Sequence, residues 1–240
     1  MTFFPIIFER LFFPINKEVY KHIQKILDIT GENQKNFNIT IRYNQPDLNI
    51  EKLQFSMDFD ISLDYINEPS AFPNANLLGL SFNQGDTVNS FYVPLKYLLD
   101  NRNEEILKNE SHYIYSYALH IDKSAKINLV NNTVKVSEDI HQYLYIGITK
   151  NSWQKRYSSH CQNMKKNPQR LLSQALNGDF GKIIEKKLVI ETAGLTEEEA
   201  LDIEEREVNA RSYKYLFEYG LNMIPGGYAG REMFSNKKAS

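Results

Sequence analysis

Residues 142–166 read QYLYIGITKNSWQKRYSSHCQNMKK, and their two halves have different periods. The first eight residues alternate and are rich in aromatic and β-branched side chains, which predicts a strand over 142–149. Trp153, Tyr157, Cys161 and Met164 then fall on one face at about 100° per residue, so a helix is expected over 152–166. Asn151 or Ser152 can cap that helix. Arg156 and His160 lie one turn apart at the edge of its apolar face. Taken alone, they read as a surface arginine and histidine.

Working outward, HYIYSYALHI (112–121) predicts a strand before this unit, with a polar stretch over 122–141 between them. Beyond it, Asn167 followed by Pro168 predicts a second helix start. KKLVIET (186–192) reads as a third strand. Thr196 and Glu199 form a capping box opening a helix to about residue 213. The tail GLNMIPGGYAG (220–230) is turn-rich. Toward the N-terminus, Val19, Ile23, Ile26 and Leu27 give 17–29 a helical face. NITIRY (38–43), a long strand or bent pair over 52–66, LGLSFN (78–83) and NSFYVPL (89–95) predict strands, with a loop over 67–76. The polar stretch 100–111 marks a boundary. The expectation is an α+β protein: a β-rich N-terminal region, 1–105, preceding a second domain, 106–240, with 122–141 inserted in it.

The 240 residues have 42% hydrophobic and 24% charged content, ordinary for a globular chain. No run of about 18 apolar residues occurs, so no membrane partner is expected. The apolar start MTFFPIIFERLFFPI is broken by Glu9 and Arg10 and reads as buried structure rather than a signal peptide. Cys161 is the only cysteine, which excludes an internal disulfide and a thiolate metal cluster and makes a cytoplasmic location the natural expectation. The net charge of −2 hides an uneven distribution. Residues 150–187 carry nine basic side chains against Asp179 and Glu185, whereas 191–207 carry eight acids against Arg206. Two solvated helices would explain this pattern, and so would a phosphate-facing surface beside a cation site.

The acidic helix places Ala200, Leu201, Ile203 and Val208 on its inward side, with Glu204 near the middle of that side and Glu207 next to it. A carboxylate there costs several kcal/mol, on the order of a lost buried ion pair, unless it is paired or holds a cation. Arg211 could pair with either glutamate, or one of them could face a cleft as a metal ligand.

Tyr145-Ile146-Gly147, followed by Thr149, Lys150, Arg156 and His160, resembles the second half of the GIY-YIG nuclease signature. Tyr113-Ile114-Tyr115 would be the first element, with Tyr113 where the family has glycine. The helix ending its EEALDIE run at Glu204 is similar to the one carrying the family's metal-binding glutamate. Leu221-Asn222 and Gly226-Gly227 resemble its closing element. The likeness covers 112–230, in the family's order. It departs from the family in the missing glycine and in the 30 residues between Tyr115 and Tyr145.

The resemblance implies a small domain with a three-stranded mixed sheet flanked by helices. It also implies a metal-dependent endonuclease that hydrolyses DNA phosphodiester bonds. Tyr115 would be the general base, with Tyr113 and Tyr117 as rivals on the same strand face. Tyr145 and His160 would support it, Arg156 would hold the scissile phosphate, and Asn222 would shape the site. Gly147, Lys150 and Lys155 would meet the substrate. Glu204, with Glu207 as its rival, would hold one Mg²⁺ or Mn²⁺. Double-stranded DNA is the expected partner. A compact chain without strung basic modules points to a sequence-specific restriction-type or mobile-element enzyme, for which a homodimer is expected. The alternative is a GIY-YIG fold kept as a non-catalytic nucleic-acid-binding or protein-interaction module.

Overall fold

A computed structural model of the chain describes residues 37–43, 59–65, 77–94, 112–123, 139–150 and 153–238. The expected helix over 17–29, the apolar N-terminus, the first half of the 52–66 strand, the 67–76 loop, the 100–111 boundary and most of the 122–141 insertion lie outside these residues. Seven strands are described: β1 (Phe37–Tyr43), β2 (Phe59–Tyr65), β3 (Leu77–Gln84), β4 (Thr87–Pro94), β5 (His112–Asp122), β6 (Ile140–Thr149) and β7 (Lys182–Leu195). The helices are α1 (Trp153–Lys166), α2 (Leu171–Asn177), α3 (Glu197–Arg211) and α4 (Gly227–Lys238). The protein is therefore of mixed α and β content, and no helix among the described residues is long and apolar enough to cross a membrane.

The strands form one sheet in the order β2-β1-β3-β4-β7-β5-β6. This differs from the three-stranded mixed sheet expected for the second half. Strand β5 is antiparallel to both of its neighbours, β6 and β7, and the sheet is mixed because β4 pairs with β7, and β1 with β3, in parallel. The reason for the larger sheet lies in β7. Its Leu188, Val189 and Ile190 are all buried, which is the pattern of an interior strand covered on both faces. Its second edge is therefore paired rather than solvated.

Two further local expectations change. Residues 167–170 form a turn in which the Arg170 N–H donates to the Asn167 carbonyl, and α2 starts only at Leu171. The turn-rich tail stays irregular over 220–226 but is helical from Gly227, where α4 begins. The α3 capping box is present with both of its reciprocal bonds.

Helix α3 covers one face of the β5–β6 pair. Ala200 and Val208 pack with Ile114 and Ile146, flanked by Leu144, Ile148 and Ile203. The tyrosines occupy the other face, because β-strand side chains alternate.

Strand β6 ends the sheet, so its outward N–H and C=O groups need partners from elsewhere. The loop after α3 supplies them. The Leu144 N–H donates to the Tyr219 carbonyl, and the Leu144 carbonyl accepts from the Leu221 N–H. One step along, the Asn222 side chain replaces a strand: its Oδ1 accepts from the Ile146 N–H at 2.9 Å and its Nδ2 donates to the Ile146 carbonyl at 2.8 Å. An amide side chain matches a peptide group in donor and acceptor alike. Asn222→Ala leaves two buried backbone groups without partners, and denaturant unfolding should show a loss of about 2–3 kcal/mol. A loss below about 0.5 kcal/mol would mean that water replaces the amide.

Candidate functional site

The β5–β6 register sets Tyr113 opposite Thr149, Tyr115 opposite Gly147 and Tyr117 opposite Tyr145. All six therefore share the face turned away from α3. Tyr115 is 2% exposed, and its ring reaches across the strand pair. A Cβ placed on Gly147 would lie 2.6 Å from the Tyr115 hydroxyl oxygen. Glycine is thus required at 147 by close approach: any side chain would displace the phenol.

Helix α1 lies over this face and delivers two groups to one oxygen. Arg156 Nε donates to the Tyr115 hydroxyl at 2.6 Å. His160 Nε2 sits 2.8 Å from the same oxygen. His160 is buried at 8% exposure, not at the helix margin as its spacing suggested. Its ring packs edge-on against Tyr115, Tyr117 and Tyr145, with centroids 5.8, 5.4 and 5.6 Å away. Burial pushes its pKa down to about 3, and the positive charges of Arg156 and Arg170 push the same way. The imidazole is therefore neutral near pH 7, and in the tautomer with its proton on Nδ1 the Nε2 accepts the Tyr115 O–H. Burial holds the Tyr115 pKa well above the ordinary phenol value, against the opposing pull of Arg156. Of the three rival tyrosines, Tyr115 makes the bonds to both Arg156 and His160.

Glu204 approaches from α3 along the β6 edge. One carboxylate oxygen accepts from the Ile148 N–H at 3.1 Å and the other from the Gly227 N–H at 3.0 Å. The second bond depends on Gly226 and Gly227. A Cβ on Gly226 would fall 2.5 Å from the Glu204 carbonyl oxygen, and Gly227 has φ 61° and abuts the α3 backbone. The glycine pair lets the start of α4 lie directly on α3 and present N–H groups to a carboxylate, where the helix dipole also favours negative charge. Burial raises the Glu204 pKa; the two N–H bonds and the charges of Arg156 and Arg231 lower it in part.

Glu207 is engaged elsewhere. It pairs with Arg211 at 2.8 Å, and Arg211 also holds Glu191 at 2.7 Å. Glu191 sits at a register shift between β5 and β7, where Thr192 pairs with Ile114 and Ile190 with Tyr115. A bulge of this kind re-aims the extra side chain. Residue spacing alone gave no signal for it, because the shift depends on pairing between distant strands. Glu205 turns toward α4 and accepts from the Ala229 N–H at 3.4 Å.

Tyr115, Gly147, Arg156 and His160 therefore converge on one oxygen, and Tyr145 packs beside them. Glu204 and Asn222 hold consecutive outward N–H groups of β6, at Ile148 and Ile146. Lys150 and Lys155 are exposed at the end of β6 and the start of α1. Among the described residues, no three or more His, Cys, Asp or Glu side chains are grouped to hold a metal. Comparison with family models, curated proteins and solved structures gives no match to this chain.

Because the folded pKa of His160 is depressed from 6.5 to about 3, its contribution to stability is complete above pH 6.5 and is lost as pH falls toward 3. In that window the unfolded chain binds the extra proton, so stability should fall by about 1.4 kcal/mol per pH unit from this group. Denaturant midpoints from pH 7 to 4 should show a steeper loss for wild type than for His160→Gln. Equal slopes would contradict a buried, neutral His160.

Proposed function

We propose that this chain is a GIY-YIG-type endonuclease that hydrolyses DNA phosphodiester bonds with one divalent cation. We further propose that it acts sequence-specifically as a homodimer, one site for each DNA strand. The observation that carries the reading is the Tyr115 oxygen held by Arg156 and His160 over Gly147, beside a β6 edge that carries Glu204.

Chemically, a phenol oxygen has one proton and two lone pairs. Arg156 occupies one lone pair and the proton goes to His160, so one lone pair remains for a water molecule. As that water attacks phosphorus, its proton passes to Tyr115 while the Tyr115 proton passes to His160 Nε2. The P–O bond to the leaving oxygen breaks, and that oxygen takes a proton from solvent. No free tyrosinate is needed, which suits a buried phenol whose pKa is raised. Burial does most to hold His160 neutral; a bound phosphate offsets the added push of Arg156 and Arg170, and so makes it a better proton acceptor when substrate is present. The Arg156 guanidinium, with Nε on Tyr115, has its NH₂ groups to direct at the phosphate.

Glu204 fits a hard cation. Each of its oxygens accepts one backbone N–H and keeps a further lone pair, and burial raises its pKa despite those two bonds and the charges of Arg156 and Arg231. Bound there, Mg²⁺ or Mn²⁺ would neutralise charge on the phosphate and the leaving oxygen.

The burial of Tyr115 favours a second reading, a non-catalytic nucleic-acid-binding module, because a closed phenol meets water only if the site opens.

Supercoiled plasmid with Mg²⁺ separates the two readings. Wild type should cut, and Arg156→Ala and Glu204→Ala should each lower the rate at least about 100-fold. Wild type that cuts no DNA under several divalent cations would leave the binding-module reading. Separately, Mg²⁺ or Mn²⁺ at about 100 times its Kd should stabilise wild type by about 2.7 kcal/mol and leave Glu204→Gln unchanged in thermal melting. An equal shift in both proteins would remove Glu204 as the ligand.

A further inference from the structure

The sheet separates charge by face. Lys186 pairs in register with Leu119, two residues along β5 from Tyr117, and so lies on the tyrosine face under α1. It is half-buried, and burial lowers its pKa; the neighbour that acts on it is Cys161, next to His160. Arg170, the N-cap of α2, is exposed in the turn that joins α1 to α2, where its N–H bonds the Asn167 carbonyl. Its charge, like that of Arg156, adds to burial in depressing His160.

The acids of the region are turned elsewhere. Glu185 is held by His120 at 2.7 Å and by Lys187 at 3.6 Å on the opposite sheet face. Glu191 and Glu207 are held by Arg211. Glu197, Glu198, Glu199 and Asp202 are exposed on α3, across the sheet, and Asp179 lies in the turn after α2. Among the described residues, basic groups gathered beside Arg156 suit a polyanion that approaches from the α1–α2 side.

We propose that Arg170 and Lys186 extend the Arg156 position into a three-cation surface that binds successive phosphates of duplex DNA along the α1–α2 side. The proposal rests on the nuclease reading for the role of Arg156, but it concerns binding and is tested without cleavage.

Binding of a short DNA duplex is measured by fluorescence anisotropy without divalent cations, from about 50 to about 200 mM salt, where each phosphate contact contributes about 0.9 to the slope of log K against log salt. Arg170→Gln and Lys186→Gln should each reduce the slope by about 0.9 and weaken binding to every sequence alike. Lys186→Arg should restore the slope, which a folding defect would not allow. Lys182→Gln, whose ammonium is already held by Asp86 at 2.8 Å, should leave the slope unchanged. The proposal is overturned if either glutamine variant keeps the wild-type slope, or if wild type does not bind duplex. Wild type that binds with these slopes yet never cuts would remove the nuclease reading and leave the surface standing. Wild type that cuts while both variants keep the slope would do the reverse.

Discussion

A strand at the end of a sheet has a row of backbone donors and acceptors facing outward, and in β6 that row dictates what surrounds it. The loop after α3 runs alongside to pair with Leu144, Asn222 supplies a side-chain amide to Ile146, and Glu204 accepts from Ile148. Each of these residues is placed by backbone satisfaction before any chemistry is considered. Glu204 could not reach Ile148 and Gly227 together unless α4 began against α3, and Gly226 and Gly227 make that approach sterically free. The cost of an unpaired buried backbone group, about 1–3 kcal/mol, offsets part of the cost of burying the carboxylate that satisfies it. The edge and the carboxylate therefore stabilise each other.

The opposite face of the same two strands follows a different rule. There the packing of large rings sets the distances. Tyr113, Tyr115, Tyr117, Tyr143 and Tyr145 line it, and His160 fits edge-on among three of them. With this much aromatic volume in one layer, one position must stay empty, and Gly147 is that position. The hydroxyl that fills the space is thereby fixed to within hydrogen-bond distance of both α1 side chains. Preorganisation of this kind does not need a flexible loop to close.

Much of this was legible locally. Strands β3, β4, β5 and β6 follow from alternation, and the start of α3 from the Thr196–Glu199 capping box, because each of these signals lies within a few residues. The grouping of Tyr115, Arg156 and His160 was expected from the order and spacing of motif residues, and these three side chains do meet. The burial of His160 was not legible, since helical spacing places a residue on a face without saying how much covers it. Helix α4 was hidden because Gly226-Gly227 reads as a turn, whereas its glycines serve close contact with α3. The bulge at Glu191, and with it the withdrawal of Glu207 to Arg211, depends on the pairing of strands far apart in the chain. So does the joining of the N-terminal strands to β7, which made the sheet larger than the three strands anticipated.

That joining also bears on how the molecule is assembled in time. The β3–β4 hairpin closes through two residues, and β5–β6 and α3–α4 are likewise neighbours in the chain, so each can form early. The parallel seam between β4 and β7 brings together Val88 and Glu185, about a hundred residues apart. The entropy of closing so long a loop must be met before the first contact across it is gained. Closure of the seam is thus expected late in folding. Until it closes, β4 and the apolar centre of β7 each present an open edge of the kind that chaperones shield and that pairs with the wrong neighbour in a crowded solution.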